Sequence, residues 1–205
     1  TKTSEVMCKY WERELIGLFH CIGKRYLYDR QHVNQVERLS LLMFDKLAKH
    51  YGMGERERLL LRGAAILHDL GKFICMRSHS IYSYQLIMAT DIIGFSDRDK
   101  KIIALAAYYH ANKLFEAGNA NAPVIEKDMV AVVAKLAAII RLADALDRSY
   151  LQKIRQCSVT IKDKIMYVQA TSKKDLALEE WTFTSKANFF EEVYGLEAVL
   201  ERVND

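Results

Sequence analysis

The stretch LLLRGAAILHDLGKFI, residues 59–74, decides the fold because an apolar helical segment ends there in two polar side chains. Its apolar residues recur at helical spacing, and a charged first turn that begins at Glu55 precedes them. The predicted helix covers residues 55–70, so that His68 and Asp69 lie in its last turn, with Gly71 as its C-cap. Adjacent ligands at a helix end can both face one ion, because the backbone turns between them. The stretch therefore predicts a core helix with a candidate metal site at its end.

Helical periodicity continues on both sides of this stretch. The other predicted helices of the main body cover residues 5–28, 31–50, 79–90, 96–110 and 126–150. Ser96 and Asp99 form a capping box that opens the helix reaching His110. Residues 111–125, which include Gly118 and Pro123, are predicted to be a loop.

The pattern changes after Arg155. SVTIKDKIMYVQA, residues 158–170, alternates apolar and polar residues around a KDK turn, which predicts a β-hairpin. Residues 185–194 predict a helix and residues 196–203 a short strand. We therefore expect a mainly α fold: a helical bundle over residues 1–155, with a small αβ subdomain (β-hairpin, helix and strand) over residues 156–205 packed on it.

Composition excludes several classes of protein. Among 205 residues, 51% are hydrophobic and 27% charged, with 9 Gly and 1 Pro, which is typical of a soluble globular chain and disfavours a turn-rich β-sandwich or a disordered one. The net charge is 30 − 26 = +4, which is compatible with an anionic ligand but does not by itself indicate nucleic acid.

The sequence shows no bilayer-spanning stretch and no secretory signal, and its four cysteines form no CxxC pair. These features predict a cytoplasmic protein. A first residue other than Met is compatible with a piece of a longer protein.

Four side chains far apart in the sequence form an ordered set: His32, the pair His68 and Asp69, and Asp144. Each one alone is more often a packed or solvated residue than a ligand. Together, their imidazole and carboxylate groups suit a divalent metal, and Mn, Fe, Mg, Zn and Ni are not distinguished. Packed helices build metal sites from such distant ligands. The order His, His-Asp, Asp resembles the signature of the HD phosphohydrolase superfamily.

Further residues are weaker candidates. HD sites that hold two metals take extra histidines from the region between the pair and the last Asp, which indicates His79 and His110, with Asp69 as the bridge. His110 could equally pack beneath the loop. Lys72 is placed either to neutralise a phosphate or to complement the C-terminal end of its helix dipole. Four cations are weaker candidates for an anion-binding rim around the substrate: Arg77, Lys113, Arg141 and Arg148.

Helix-surface ion pairs are an alternative for part of this rim, since Arg141, Asp144, Asp147 and Arg148 have helical spacings.

Longer segments point to one family. The stretch at residues 59–74, residues 79–113, AAIIRLADALDRSY at 137–150 and DLALEEWTFTSKANFFEEVYG at 175–195 resemble the C-terminal HD-type domain of the exopolyphosphatase/guanosine pentaphosphatase (Ppx/GppA) family. The resemblance covers roughly residues 10–200. It implies a helical HD domain ending in a small αβ tail. It also implies an upstream actin-like module, outside this chain, that carries the phosphatase chemistry on polyphosphate or guanosine pentaphosphate. Ser80 and Tyr82 stand where many members carry further histidines, which weakens the case for a fully histidine-lined second metal site.

Two functions remain open at this point. The first is a metal-dependent phosphohydrolase acting on polyphosphate or a phosphorylated nucleotide, with Asp69 and Lys72 as catalytic residues. The second is a non-catalytic module that binds such anions and forms a homodimer for the upstream module. A helical scaffold with coincidental ligands would bind no metal. No nucleotide-binding glycine loop and no GxSxG motif occurs, and neither a membrane nor a specific nucleic acid is an expected partner.

Overall fold

A computed structural model describes residues 2–111 and 122–203 of the chain. Within these ranges the chain forms seven α-helices, one short 3-10 helix and three β-strands. The elements are α1 (Lys2–Arg25), α2 (Arg30–Tyr51), α3 (Glu55–Leu67), the 3-10 helix (Leu70–Phe73), α4 (His79–Met88), α5 (Asp97–Tyr109), α6 (Val130–Ala145), β1 (Gln156–Lys162), β2 (Ile165–Thr171), α7 (Ala177–Tyr194) and β3 (Glu197–Val203). The predicted mainly α fold with a small αβ tail is confirmed.

Helix α6 lies at the centre of the bundle and contacts α2, α3, α5 and α7. Its residues 136–140 and 142–146 are buried, which explains why its sequence is almost uniformly apolar rather than amphipathic. Buried alanines lie on both α5 and α6, and their small side chains allow the two helices to pack closely. Across the described residues, no helix is both long and apolar enough to cross a lipid bilayer.

Residues predicted to be metal ligands lie at the ends of helices. The Asp29 side chain caps α2 by accepting from the backbone N of His32, which places His32 in the first turn. The capping box of Ser96 and Asp99 at the start of α5 is confirmed. At the other end of α5, His110 is the C-cap residue.

The prediction for Gly71 was wrong. Helix α3 ends at Leu67, and Gly71 lies inside the 3-10 helix rather than in a left-handed cap. Its backbone packs so closely against α4 that an added Cβ would lie 1.9 Å from the carbonyl oxygen of His79. Glycine is needed here for close approach of two backbones.

Helix α6 is shorter than predicted. It ends at Ala145 instead of Tyr150, and the following turn places Tyr150 and Gln152 at positive φ, 59° and 43°. This turn directs Asp147 into the core. The helical spacing, in contrast, predicts ion pairs on the helix surface. Asp144 and Asp147 are 3% and 1% exposed, so that surface interpretation was wrong for both carboxylates.

The tail forms a three-stranded sheet in the order β1-β2-β3. Strands β1 and β2 pair as the predicted antiparallel hairpin, with Asp163 and Lys164 at positive φ in the turn. Strand β3 pairs parallel to β2, and α7 forms the crossover between them. Helix α7 begins at Ala177, eight residues earlier than predicted, and packs on α6. This packing brings residues of the tail to the end of α6 that carries Asp144.

Candidate metal centre

The six predicted metal ligands come together at one end of the bundle. His32 comes from the start of α2, while His68 and Asp69 follow α3. The others are His79 at the start of α4, His110 at the end of α5 and Asp144 near the end of α6. All but His79 are buried, so this is a polar cluster inside a helical core.

The first group of predicted ligands consists of His32, His68, Asp69 and Asp144. The Nε2 of His32 lies 3.4 Å from Oδ1 of Asp144 and 3.6 Å from Oδ2 of Asp69. The Nε2 of His68 lies 3.9 Å and 3.5 Å from the same two oxygens. Ligand atoms bound at about 2.0–2.1 Å to one tetrahedral ion lie about 3.3 Å apart. These separations therefore suit four ligands around one cation.

A second group adjoins the first through Asp69. Its other oxygen, Oδ1, lies 3.5 Å from Nε2 of His79 and 3.9 Å from Nε2 of His110. The two Nε2 atoms are 3.3 Å apart. Asp69 thus presents one oxygen to each group, which is the arrangement of a carboxylate that bridges two cations.

Hydrogen bonds at the opposite ring nitrogens set the tautomers. The Nδ1 atoms of His68, His79 and His110 lie 2.7, 3.0 and 2.5 Å from backbone carbonyl oxygens. A carbonyl can only accept, so each Nδ1 carries the proton and each Nε2 is left with a lone pair. His79 and His110 therefore point two lone pairs at each other, an arrangement that a shared cation relieves.

His32 is oriented by a carboxylate. Its Nδ1 lies 2.8 Å from Oδ2 of Asp147. Oδ2 also accepts from Nε2 of Gln152 at 2.9 Å, and Oδ1 of Asp147 accepts from the backbone N of Gln152 at 2.8 Å. The Nε2 atoms of His32 and His68 are fully buried and have no hydrogen-bond partner in the described part of the chain. Buried polar atoms without partners are rare, so these residues fit a divalent cation.

Two lysines and a tyrosine complete the surroundings. Nζ of Lys72 lies 2.5 Å from Oδ2 of Asp69, and Nζ of Lys186 lies 2.7 Å from Oδ2 of Asp144. The hydroxyl of Tyr150 donates to Oδ2 of Asp69 at 2.6 Å. Sequence reasoning missed Lys186, Tyr150 and the role of Asp147. Lys186 lies 42 residues from its partner, and no local pattern could have linked the two.

A comparison with models of protein families shows the family to which this chain belongs. The family model for domain III of the Ppx/GppA phosphatases matches residues 19–200. The chain belongs to the Ppx/GppA family. The match contains every residue of the two ligand groups, and it extends through the αβ tail.

The histidines of this Ppx/GppA domain differ in their affinity for protons. Burial lowers the pKa of His68, and it lowers the pKa of His110 to about 3. Both imidazoles are therefore neutral and able to act as ligands. Burial also opposes a charge on His32, but the nearby Asp144 carboxylate and the hydrogen bond to Asp147 outweigh this and raise its pKa to about 9. A proton and a metal cation would therefore compete for Nε2 of His32.

The carboxylates stay ionised despite their burial. Burial by itself favours the neutral acid, but the neighbouring His68 and Lys72 lower the pKa of Asp69 to about 2. The neighbouring Lys186 and His32 likewise hold the pKa of Asp144 well below its usual value. Ionised carboxylates beside neutral imidazoles are a ligand set that suits a divalent metal.

A cavity of about 240 Å³ opens onto the cluster. Besides ligands, its lining includes Lys72, Arg148, Trp181 and Lys186. Trp181 is 72% exposed at this surface. The cavity therefore joins potential metal ligands, three cations and an aromatic ring, which is suited to a phosphate ester or anhydride.

The predicted rim residues have different positions. Lys72 and Arg148 line the cavity, whereas Arg77 and Arg141 are not among the described residues that do so. The guanidinium of Arg141 lies 4.6 Å from the ring centre of Phe189, against α7. Lys113 lies outside the described residues. A substrate-binding role for these three cations stays a prediction.

Proposed function

We propose that this Ppx/GppA domain III binds one or two divalent cations and hydrolyses a phosphate ester or anhydride, in polyphosphate or a phosphorylated nucleotide. One observation carries the proposal: the Nε2 atoms of four histidines converge on the two oxygens of Asp69, and two of these nitrogens are buried without a hydrogen-bond partner. A merely structural cluster would have hydrogen bonds at these atoms.

The residues have separate roles in this proposal. His32, His68, Asp69 and Asp144 would hold the first cation, and Asp69, His79 and His110 the second. Cations in such sites activate a water molecule and stabilise charge on phosphoryl oxygens. Lys72 and Lys186, which balance Asp69 and Asp144 in the structure, are within reach of the same space. With the carboxylates engaged by cations, both ammonium groups would donate to phosphate oxygens of the substrate.

The cavity wall favours a nucleotide over polyphosphate. Trp181 exposes most of its indole beside Lys186 and Arg148, although polyphosphate has no group that needs an aromatic ring. A base stacked on an aromatic side chain is stabilised by about 1–3 kcal/mol. The phosphates of such a nucleotide would lie on the lysines and its base on Trp181.

A second candidate is a binding module without turnover. Each carboxylate already has an ammonium partner, Lys72 for Asp69 and Lys186 for Asp144, so its charge is balanced without a metal. In this alternative the domain would dock polyphosphate or a nucleotide and form a homodimer for an upstream actin-like phosphatase module.

Metal analysis and a turnover assay separate the two candidates. The purified chain would be analysed for bound transition metals and then assayed for phosphate release from nucleotides and tripolyphosphate, with Mn²⁺ added. The proposal expects metal and turnover, both lost in His68→Ala and both kept in His50→Ala, a control at an exposed histidine. Metal without turnover supports the binding module. Turnover that survives His68→Ala contradicts the proposed mechanism.

A further inference from the structure

Tyr150 lies between the first group of predicted ligands and the cavity that opens onto it. It lines the cavity and is half-buried. Its hydroxyl donates to Oδ2 of Asp69 at 2.6 Å and contacts Nζ of Lys72. Its ring stacks on the imidazole of His32, with the ring centres 3.8 Å apart and the planes 20° from parallel. One side chain therefore contacts two predicted ligands of the first cation.

The backbone of Tyr150 has an unusual conformation. Its φ of 59° lies in the left-handed region, which a bulky side chain rarely adopts. Such residues persist only where their surroundings hold them, and they cluster at functional sites. Here the turn is held from α7, since the buried Glu179 accepts from the backbone N of Ser149 at 3.1 Å and from Nζ of Lys153 at 3.0 Å. The fold thus keeps Tyr150 beside the ligands against its local preference.

The carboxylate of Asp69 is the group that gains from this contact. It presents Oδ2 to one ligand group and Oδ1 to the other. The torsion that turns a carboxylate about its Cβ–Cγ bond is broad, so the side chain by itself does not fix the direction of the two oxygens. The hydrogen bond from Tyr150 fixes the direction of Oδ2, and the direction of Oδ1 follows from it.

Lys72 donates to the same oxygen but constrains it less. Its Nζ lies 2.5 Å from Oδ2 of Asp69, at the end of a flexible four-carbon chain. The phenol of Tyr150 is rigid, and its ring is placed by the stack on His32. The positive charge of Lys72 would also repel a cation bound to Asp69, whereas the neutral hydroxyl of Tyr150 would not.

We propose that Tyr150 is a positioning residue that directs the two oxygens of Asp69 toward the two cation sites. This inference rests on the proposed function, because it requires Asp69 to be a metal ligand. Ligating carboxylates are commonly held by hydrogen bonds from behind, and loss of such a partner typically lowers metal affinity about 10–100-fold.

The test is a titration of the whole chain with Co²⁺, followed by calorimetry and by the visible absorption of the bound ion, which reports the geometry of its ligands. Tyr150→Phe removes one hydroxyl and keeps the ring that stacks on His32. We expect Co²⁺ to bind about 10–100-fold more weakly and its absorption bands to change. A role in packing alone would lower the free energy of unfolding in urea and leave both Co²⁺ measurements unchanged.

Tyr51→Phe is the matched control. The hydroxyl of Tyr51 also donates at 2.6 Å, to the carbonyl oxygen of Tyr194, but Tyr51 is not among the described residues that line the cavity. We expect this variant to keep both the affinity for Co²⁺ and the absorption bands. Unchanged affinity and absorption in Tyr150→Phe, or an equal loss in Tyr51→Phe, would overturn the role of Tyr150 alone. An unmodified chain that binds no Co²⁺ would overturn the proposed function together with this inference.

Discussion

At the scale of single residues, the candidate metal centre includes a chain of hydrogen bonds behind the predicted ligand His32. Gln152 donates twice to Asp147, and Asp147 accepts from Nδ1 of His32. Such contacts set the tautomer and direction of a ligand histidine without touching the metal. Asp147 is thus a positioning residue, and Gln152 keeps it in place from a turn at positive φ.

The substitution Asp147→Asn tests this arrangement. It keeps the size of the side chain but removes the charge that supports His32. Loss of such a partner typically lowers metal affinity about 10–100-fold, so we expect a weakening of that order in a titration with Mn²⁺ or Zn²⁺. Asp91→Asn, at an exposed carboxyl, should leave the affinity unchanged. An unaltered affinity in Asp147→Asn would contradict the positioning role of Asp147.

At the scale of elements, the site requires close contact between the 3-10 helix and α4. The hydroxyl of Ser83 accepts from the backbone N of Gly71 at 2.8 Å and donates to the carbonyl of His68 at 2.7 Å. The 3-10 helix, α4 and the end of α3 are therefore held by one buried hydroxyl, and the two ligand groups are held with them.

The substitution Gly71→Ala should disturb this contact. Its Cβ would meet the backbone of α4 rather than a flexible side chain, so we expect a loss of about 1–3 kcal/mol in the free energy of unfolding. Urea denaturation measures the change. Gly17→Ala is the control, because its Cβ would have nothing within 4 Å in the exposed face of α1. There, the better helix propensity of alanine should stabilise the protein by up to about 1 kcal/mol.

At the scale of the whole molecule, the αβ tail contributes to the site built by the bundle. Helix α7 packs on α6 and brings Trp181 and Lys186 to the cavity over the ligands. The division at residue 155 that the sequence suggests would therefore separate a cavity from part of its wall.

Trp181→Ala tests the contribution of the tail to substrate choice. If a base stacks on the indole, we expect KM for a nucleoside triphosphate to rise about tenfold, whereas hydrolysis of tripolyphosphate should not change. Trp11→Ala removes another exposed tryptophan, remote from the cavity lining, and should affect neither substrate. An equal effect of Trp181→Ala on both substrates would contradict a stacked base.

The metal-free protein should be most stable near pH 6.5. Below this value, an unfolded His110 binds a proton, whereas the folded one does not until about pH 3, so stability falls as the pH falls. Above it, His32 keeps its proton in the folded state up to a pKa of about 9, so its contribution is lost as the pH rises. Urea denaturation in EDTA between about pH 4 and 9 measures both limbs. In His32→Gln the loss of stability between about pH 6.5 and 9 should disappear, and an unchanged loss in this window would contradict the assignment.

The periodicity and spacing of residues in the sequence predicted most of the helices, the hairpin and the side chains that meet at the candidate site. Apolar residues at helical spacing identified α1 to α6, and alternation identified the β1–β2 hairpin, because burial of one face imposes these patterns on neighbouring residues. The order His32, His68, Asp69, Asp144 predicted which side chains meet. The structure brings them together, while their role as ligands stays a prediction.

Tertiary packing alone decided the rest. The end of α6 at Ala145 depends on Asp147 bonding to His32, 115 residues earlier in the chain. The ion pair of Lys186 with Asp144 forms because α7 packs against α6. Such contacts leave no repeating pattern along the chain, since they join residues that only the folded core brings together.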